Sequence, residues 1–172
     1  MTKTIAALVT HDFEDLEYCE TVHAYRAAGH SVINIEHHEG NIVYGIQRKT
    51  STTIDLGIDD SDVHHFDALF IPGGESPEAL RNDERFVFFV RHFANLQKPI
   101  FICCYAPQLL MHAGVVKGRR ICAMQTILND LEDAGAVCLN QDVVNDNNLY
   151  ISSRSPDLFP KFVDETLKVL RL

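Results

Sequence analysis

The apolar positions of this chain follow two different repeats that alternate along its length. Short continuous apolar runs, such as "TIAALVT" at residues 4–10 and "DALFIPGG" at 67–74, are typical of strands buried on both faces of a sheet. Segments such as "LEYCETVHAYRAAGH" and "ERFVFFVRHFANLQ" place apolar residues every three or four positions, which indicates amphipathic helices. This alternation predicts an α/β fold, with a mainly parallel sheet covered by helices on both faces.

Two regions depart from that rhythm. The segment "NIVYGIQRKTSTTIDLGI" at 41–58 alternates with a period near two, which predicts a small β-hairpin. Near the end of the chain, "AVCL" and "NLYISS" are predicted as strands on either side of the turn-rich "NDNN", before a last helix over "PKFVDETLKVLRL". Since no linker, repeat or low-complexity segment interrupts the pattern, we expect a single domain over residues 1–172.

Charge and cysteine usage exclude several classes of function. The chain carries 24 acidic and 15 basic residues, a net charge of −9, so we expect no nucleic-acid partner. The sequence has no basic amphipathic helix, secretory signal or apolar run of spanning length, which predicts a cytoplasmic protein without membrane contact. The five cysteines lack metal-type spacing, so we expect free thiols and neither a metal nor a cofactor.

The pair Cys103–Cys104 lies where a buried strand feeds a helix, which is where ligands of open α/β sheets bind. A nucleophile on such a sharp turn, a nucleophile elbow, needs small neighbours. Ala106 follows Cys104 at two positions, and strand alternation assigns Cys103 to the opposite face from Cys104. Proximity to the next helix predicts a lowered pKa for Cys104. Two buried, inert cysteines explain the same residues, and the sequence leaves both interpretations open.

Two further strand ends carry candidate chemistry. The double glycine Gly73–Gly74 follows a buried strand, and its backbone N–H groups, with that of Tyr105, could form an oxyanion hole. A tight turn explains the same glycines. Glu17, in the first turn of the first helix, could face the thiol; a carboxyl beside a thiolate keeps its proton and can pass it to a substrate. Asp15 is interpreted as complementing the helix dipole only.

Five motifs in order over essentially the whole chain, "FEDLE", "DALFIPGGESPEALRND", "KPIFICCYAPQLLMHAGVVKGRR", "LNDLEDAGA" and "SRSPDL", resemble the ThiJ/PfpI superfamily. The resemblance implies a flavodoxin-like three-layer sandwich. It implies that Cys104 is the nucleophile, Glu17 its partner and Gly74 an oxyanion donor. It also places Glu78 as the glutamate that reaches a neighbouring subunit's site, and Arg154 as the motif arginine before the last helix.

One residue departs from the family pattern. PfpI-type proteases carry histidine directly after the cysteine, where this chain has Tyr105. A tyrosine hydroxyl, with a reference pKa of about 10, is a poor base at neutral pH, although it can donate a hydrogen bond. His11, which closes the first strand, is the histidine best placed to substitute.

The residues and the resemblance together favour a cysteine-dependent enzyme that acts on small carbonyl compounds or their adducts, as glyoxalases and deglycases do. A redox sensor of oxidative stress, in which an oxidant modifies Cys104, is the alternative. A PfpI-type peptidase or amidase ranks lower because of Tyr105. The resemblance also predicts a homo-oligomer, and the phenylalanine-rich "RFVFFVRHF" agrees with one.

Overall fold

The computed structural model describes all 172 residues. One seven-stranded sheet crosses the molecule. Its strands are β1 (Thr4–Leu8), β2 (Ser31–Glu36), β5 (Leu56–Gly57), β6 (Ala68–Ile71), β7 (Ile100–Cys103), β10 (Val143–Asp146) and β11 (Tyr150–Ser153). They lie in the order β10-β11-β7-β6-β1-β2-β5. Every neighbouring pair is parallel except β10 and β11, which are antiparallel.

Helices cover both faces of this sheet, so the predicted flavodoxin-like three-layer sandwich is confirmed. Aromatic and aliphatic side chains from the helices fill a separate core on each face, because central parallel strands expose apolar residues on both sides. The helices are α1 (Asp15–Ala27), α2 (Ser76–Leu80), α3 (Glu84–Asn95), α4 (Pro107–His112), α5 (Leu128–Asp133) and α6 (Phe159–Leu170).

The predicted small hairpin is present as an antiparallel pair outside the main sheet, formed by β3 (Ile42–Tyr44) and β4 (Ser51–Thr53). The prediction for the last strands is wrong in one respect. The strand that precedes the "NDNN" turn and pairs with β11 is β10, whereas β9 (Val137–Cys138) pairs in parallel with β8 (Arg120–Ile121). Only Val137 and Cys138 of "AVCL" are in a strand. That strand belongs to a separate two-stranded sheet and not to the main sheet.

The phenylalanine-rich segment is helix α3, and packing explains most of its apolar character. Phe86, Phe89 and Phe93 are buried in the core, whereas Phe88 is 57% exposed with the Arg91 guanidinium over its ring. Self-association therefore stays a prediction, which light scattering of the protein in solution would decide.

Candidate active site

The chain turns sharply at Cys104, between the end of β7 and the start of α4. Cys104 has a φ of +55°, in the left-handed region that residues other than glycine rarely adopt. Its N–H donates to the Ser153 carbonyl at 2.9 Å, and its carbonyl accepts from the Met124 N–H at 3.2 Å. Backbone strain of this kind costs about 1–3 kcal/mol and is concentrated at functional sites. The sharp strand-to-helix turn that the sequence predicts is therefore present, held by neighbours on both sides.

The same turn overturns the prediction that Cys104 faces the side of the sheet opposite to Cys103. Ile100 and Ile102 belong to one core, whereas Phe101, Cys103 and Cys104 all belong to the other. Alternation holds only while the chain stays extended, and the left-handed conformation at Cys104 ends it. Cys104 consequently lies on the face covered by α1, the helix that carries Glu17.

Glu17 and Cys104 are in direct contact. The Cys104 thiol donates a hydrogen bond to Glu17 Oε2, and the Gly73 N–H donates to Glu17 Oε1 at 2.8 Å. Glu17 is 1% exposed and Cys104 is 2% exposed in the single chain. Residues from three strand ends of the sheet therefore meet around one buried thiol–carboxyl pair.

The position of Glu17 is fixed by the residues just before it. Glu14 caps α1, since its Oε2 accepts the Glu17 N–H at 2.8 Å. Phe13 forms an antiparallel bridge with Gly74, which ties the start of α1 to the glycine turn after β6. The acidic loop and the double glycine therefore form one framework beside Cys104.

Asp15 does more in this framework than the sequence indicated. Its buried carboxylate accepts hydrogen bonds from the Gln47, Lys49 and Thr50 N–H groups and from the Thr50 hydroxyl, so it anchors the loop of the β3–β4 hairpin. Burial opposes ionisation of Asp15, but these hydrogen bonds outweigh it and lower its pKa below the usual range. No local signal revealed this role, because the partners lie more than thirty positions along the chain.

Gly73 is required by close packing. A Cβ there would lie 2.7 Å from Glu17 Oε1 and 2.9 Å from Cys104 Cβ, closer than real Cβ contacts allow. Gly74 has a φ of +80°, and a Cβ there would lie 2.4 Å from the Asp12 carbonyl oxygen. Any side chain at Gly73 would separate the carboxyl from the thiol. The double glycine is thus a tight turn and also lets the backbone reach the site.

Two backbone donors next to the thiol have no acceptor in the protein. The N–H groups of Gly74 and Tyr105 make no hydrogen bond to backbone or side chain, whereas the Gly73 N–H is taken by Glu17. These are the two groups that the sequence suggested for an oxyanion hole. A developing negative charge on a bound oxygen could use both.

The pKa of Glu17 shifts in the predicted direction, whereas that of Cys104 does not. Burial raises the pKa of Glu17 to about 7, against an ordinary value of 4.5. Burial and the Glu17 charge raise the pKa of the Cys104 thiol as well, so the predicted lowering is wrong. Helix α4 does little to lower the pKa of the thiol, because it has only six residues and begins at Pro107, which has no N–H. The thiol therefore keeps its proton and donates it in a hydrogen bond to the Glu17 carboxyl.

The remaining predicted residues lie farther from the sulfur. The His11 ring stacks on Tyr44, and its Nδ1 accepts the Tyr44 N–H at 3.2 Å. The Tyr105 hydroxyl is 3.4 Å from Thr126 Oγ1. Glu78 is on the surface in an ion pair with Arg81, and Arg154 pairs with Asp142.

No histidine contacts the Cys104 sulfur, whose hydrogen-bond partner is Glu17. The catalytic roles predicted for these residues, and a contribution of Glu78 to a neighbouring subunit, stay predictions.

Comparison with known proteins places this arrangement in a family. Residues 3–169 match the DJ-1/PfpI family. This chain belongs to that family. Protein/nucleic acid deglycase 2 from Escherichia coli (strain K12) is 45% identical over 170 residues, which are 99% of each chain. General stress protein 18 from Bacillus subtilis (strain 168) is 42% identical, again over 99% of each chain.

Among solved structures, a two-domain protein from Anabaena variabilis with DJ-1/ThiJ/PfpI-like and ferritin-like domains has a TM-score of 0.94 and 27% identity. The match covers 98% of this chain and 48% of that one, so the present chain corresponds to about half of it. The family resemblance read from the motifs is thereby confirmed. None of the helices is both long and apolar enough to cross a membrane.

Proposed function

We propose that this DJ-1/PfpI protein is a cytoplasmic, cysteine-dependent enzyme that acts on small carbonyl compounds and on the adducts they form with amines. The observation that carries the proposal is the hydrogen bond from the Cys104 thiol to the buried Glu17 carboxyl, beside a strained turn with two unused backbone donors. The 45% identity to a deglycase supports the same reaction class.

In the proposed reaction, the Glu17 carboxylate takes the thiol proton while the sulfur forms a bond to the aldehyde carbon of a dicarbonyl such as methylglyoxal. The carbon–oxygen π pair moves onto oxygen, where the Gly74 and Tyr105 N–H groups stabilise it until Glu17 returns the proton. Glu17 then takes the hydrogen from that carbon as a proton and returns it to the neighbouring carbonyl carbon. The hydroxyl proton passes to the neighbouring oxygen at the same time, which gives a thioester of lactate. Water hydrolyses the thioester and restores the thiol, so no external oxidant is required.

For an amine adduct the same attack falls on the carbon that carries nitrogen. The carbon–nitrogen bond breaks as the sulfur–carbon bond forms, and the amine leaves with the proton that Glu17 holds. The product on sulfur is the same hemithioacetal.

The burial of Cys104 and the lack of a histidine in contact with its thiol argue against peptidase activity. With 2% of Cys104 exposed, a compound of a few atoms can approach the sulfur more readily than an extended polypeptide can. A cysteine peptidase also needs a base that becomes the acid for the leaving amine, commonly histidine, and no histidine contacts this thiol. Small carbonyl compounds therefore fit the site better.

Isotope-labelled methylglyoxal tests the proposal on the wild-type protein. We expect lactate to form in proportion to the methylglyoxal consumed, because the sequence of steps adds only water. Acid-quenched samples analysed by peptide mapping should carry the label on Cys104. Label confined to the other four cysteines or to lysines, with no lactate, would contradict the proposal.

A second function, as a thiol redox sensor, is favoured by the same contact. A peroxide oxygen transferred to the Cys104 sulfur, with release of water, gives a sulfenic acid that could exchange hydrogen bonds with Glu17. General stress protein 18 is among the similar proteins.

Mild peroxide treatment tests this second function. Intact-mass measurement and peptide mapping should show added oxygen at Cys104 before Cys19 or Cys138, although both of these are more exposed. Oxidation that simply follows exposure would rule out a sensing role for Cys104.

A further inference from the structure

Three hydrogen bonds join the acidic loop before α1 to the glycine turn after β6, and we call them the loop–turn ladder. They run from the Thr10 N–H to Ser76 Oγ (2.9 Å), from the Glu75 N–H to the Asp12 carbonyl (2.8 Å) and from the Glu14 N–H to the Gly73 carbonyl (3.2 Å). The last rung lies beside the proposed reaction centre, because the Gly73 N–H donates to Glu17. The first rung lies at the opposite end, where β1 leaves the sheet.

That first rung is anchored by Glu36, the last residue of β2. Glu36 Oε2 accepts the Thr10 hydroxyl at 2.9 Å, so Thr10 bonds to Glu36 through its side chain and to Ser76 through its N–H. All three residues are buried. The ends of β2, β1 and β6 are therefore tied together through one threonine.

The Glu36 carboxylate is also held from its other side. Its Oε1 accepts the His37 N–H at 2.7 Å and the Asn41 side-chain amide at 3.0 Å, and His37 Nδ1 lies 3.1 Å from Oε2. Burial opposes ionisation of Glu36, but the hydrogen bonds from His37, Asn41 and Thr10 outweigh it and lower its pKa to about 2. A buried charge is costly unless it is fully hydrogen-bonded, so this network fixes the position of Thr10.

We infer that Glu36 is a positioning residue for the proposed reaction. It acts through Thr10 and the loop–turn ladder, whose other end carries the oxyanion donor Gly74 and fixes Glu17. A misplacement of about 1 Å is enough to cost much of the effect of a catalytic group, so a carboxylate outside the reaction centre can govern the rate. The inference rests on the proposed function for the rate, but not for the integrity of the ladder.

Thr10→Val tests the effect on the rate, since valine has a similar shape and lacks the hydroxyl. We expect kcat for methylglyoxal to fall about tenfold, which is part of the cost of losing an oxyanion donor outright. KM should stay within about twofold, because the aligned groups act on charge that develops during the reaction. Glu36→Gln, which leaves one acceptor oxygen in place of two, should give the same result, whereas Thr10→Ser keeps the hydroxyl and should retain the wild-type kcat.

Asn41→Ala is the matched control, because it removes a hydrogen bond from the other side of the same carboxylate. Its kcat and KM should be those of the wild type. If Glu36 only held the loop after β2 in place, all the variants would lose thermal stability and none would lose kcat.

Amide hydrogen exchange followed by NMR measures the ladder without any turnover. In Thr10→Val and Glu36→Gln, two rung amides should exchange about tenfold faster than in the wild type, since one hydrogen bond contributes about 1 kcal/mol. These are the N–H groups of Glu14 and Glu75. The Cys104 N–H, which is bonded outside the ladder, should not change.

Unchanged exchange of both rung amides, or a wild-type kcat in both anchor variants, would overturn the inference. Faster exchange of the rung amides in a protein that turns over no carbonyl substrate would instead contradict the proposed function alone.

Discussion

Replacing Cys104 by serine is expected to lower the rate of methylglyoxal consumption by about 10³-fold or more, a loss of the size seen when a nucleophile is removed. Serine has nearly the same shape, and its hydroxyl can still donate to Glu17 Oε2 from the same turn. Its proton, however, is held far more tightly than that of a thiol. A Glu17 carboxyl with a pKa of about 7 cannot remove it at a useful rate.

The neighbouring cysteine provides a matched control. Cys103 is as buried as Cys104, at 1% exposed, but makes no hydrogen bond to Glu17. Cys103→Ala should therefore keep the rate within a few-fold of wild type while showing the stability loss of a small core truncation, measured by thermal unfolding. Comparable rates for wild type and Cys104→Ser, or an equal loss in the Cys103 variant, would contradict the assignment of the nucleophile.

Much of the fold could be predicted because apolar periodicity is a local property. Runs such as residues 67–74 and 98–103 read as buried strands, and β6 and β7 are central in the sheet. The positions of Glu17, Gly73 and Cys104 at the carboxyl ends of strands or the start of a helix then follow from the parallel topology. The contact between Glu17 and Cys104 was expected for this reason, although 87 positions separate them.

The predictions that were wrong depend on information that no short segment of the sequence contains. The side of the sheet on which Cys104 lies is decided by a single left-handed φ, which reverses the alternation of β7. The pKa of the thiol depends on the burial of the folded site, and burial outweighs the short helix that was expected to lower it. The partner of β11 is β10 because the two strands pair in antiparallel fashion across a short turn. Asn145 and Asp146 are residue types that are uncommon in strands, so the composition of "VVND" does not indicate this pairing.

Glu17→Gln is expected to reduce kcat/KM for methylglyoxal by about 10²–10³-fold, within the range for loss of a general base. Glutamine preserves the packing: its Oε1 can still accept the Gly73 N–H, and its amide can donate to the sulfur. The wild-type rate should rise with pH through about 7 as Glu17 loses its proton. The variant should lack this inflection and gain activity only at higher pH, where the thiol ionises unaided.

The same substitution changes stability with a definite sign. Because the pKa of Glu17 is about 7 in the folded protein and near 4.5 when unfolded, the folded state binds more protons between these values. Wild-type stability should therefore fall, relative to Glu17→Gln, as pH rises from about 4.5 to 7, and the difference should remain constant above that range. Thermal unfolding of both proteins from pH 5 to 8 measures it. Glu20→Gln, at an exposed position of the same helix, is the control and should follow wild type.

A pH–rate inflection near 7 that survives in Glu17→Gln would exclude this carboxyl as the base, because no other group in contact with the sulfur could produce it.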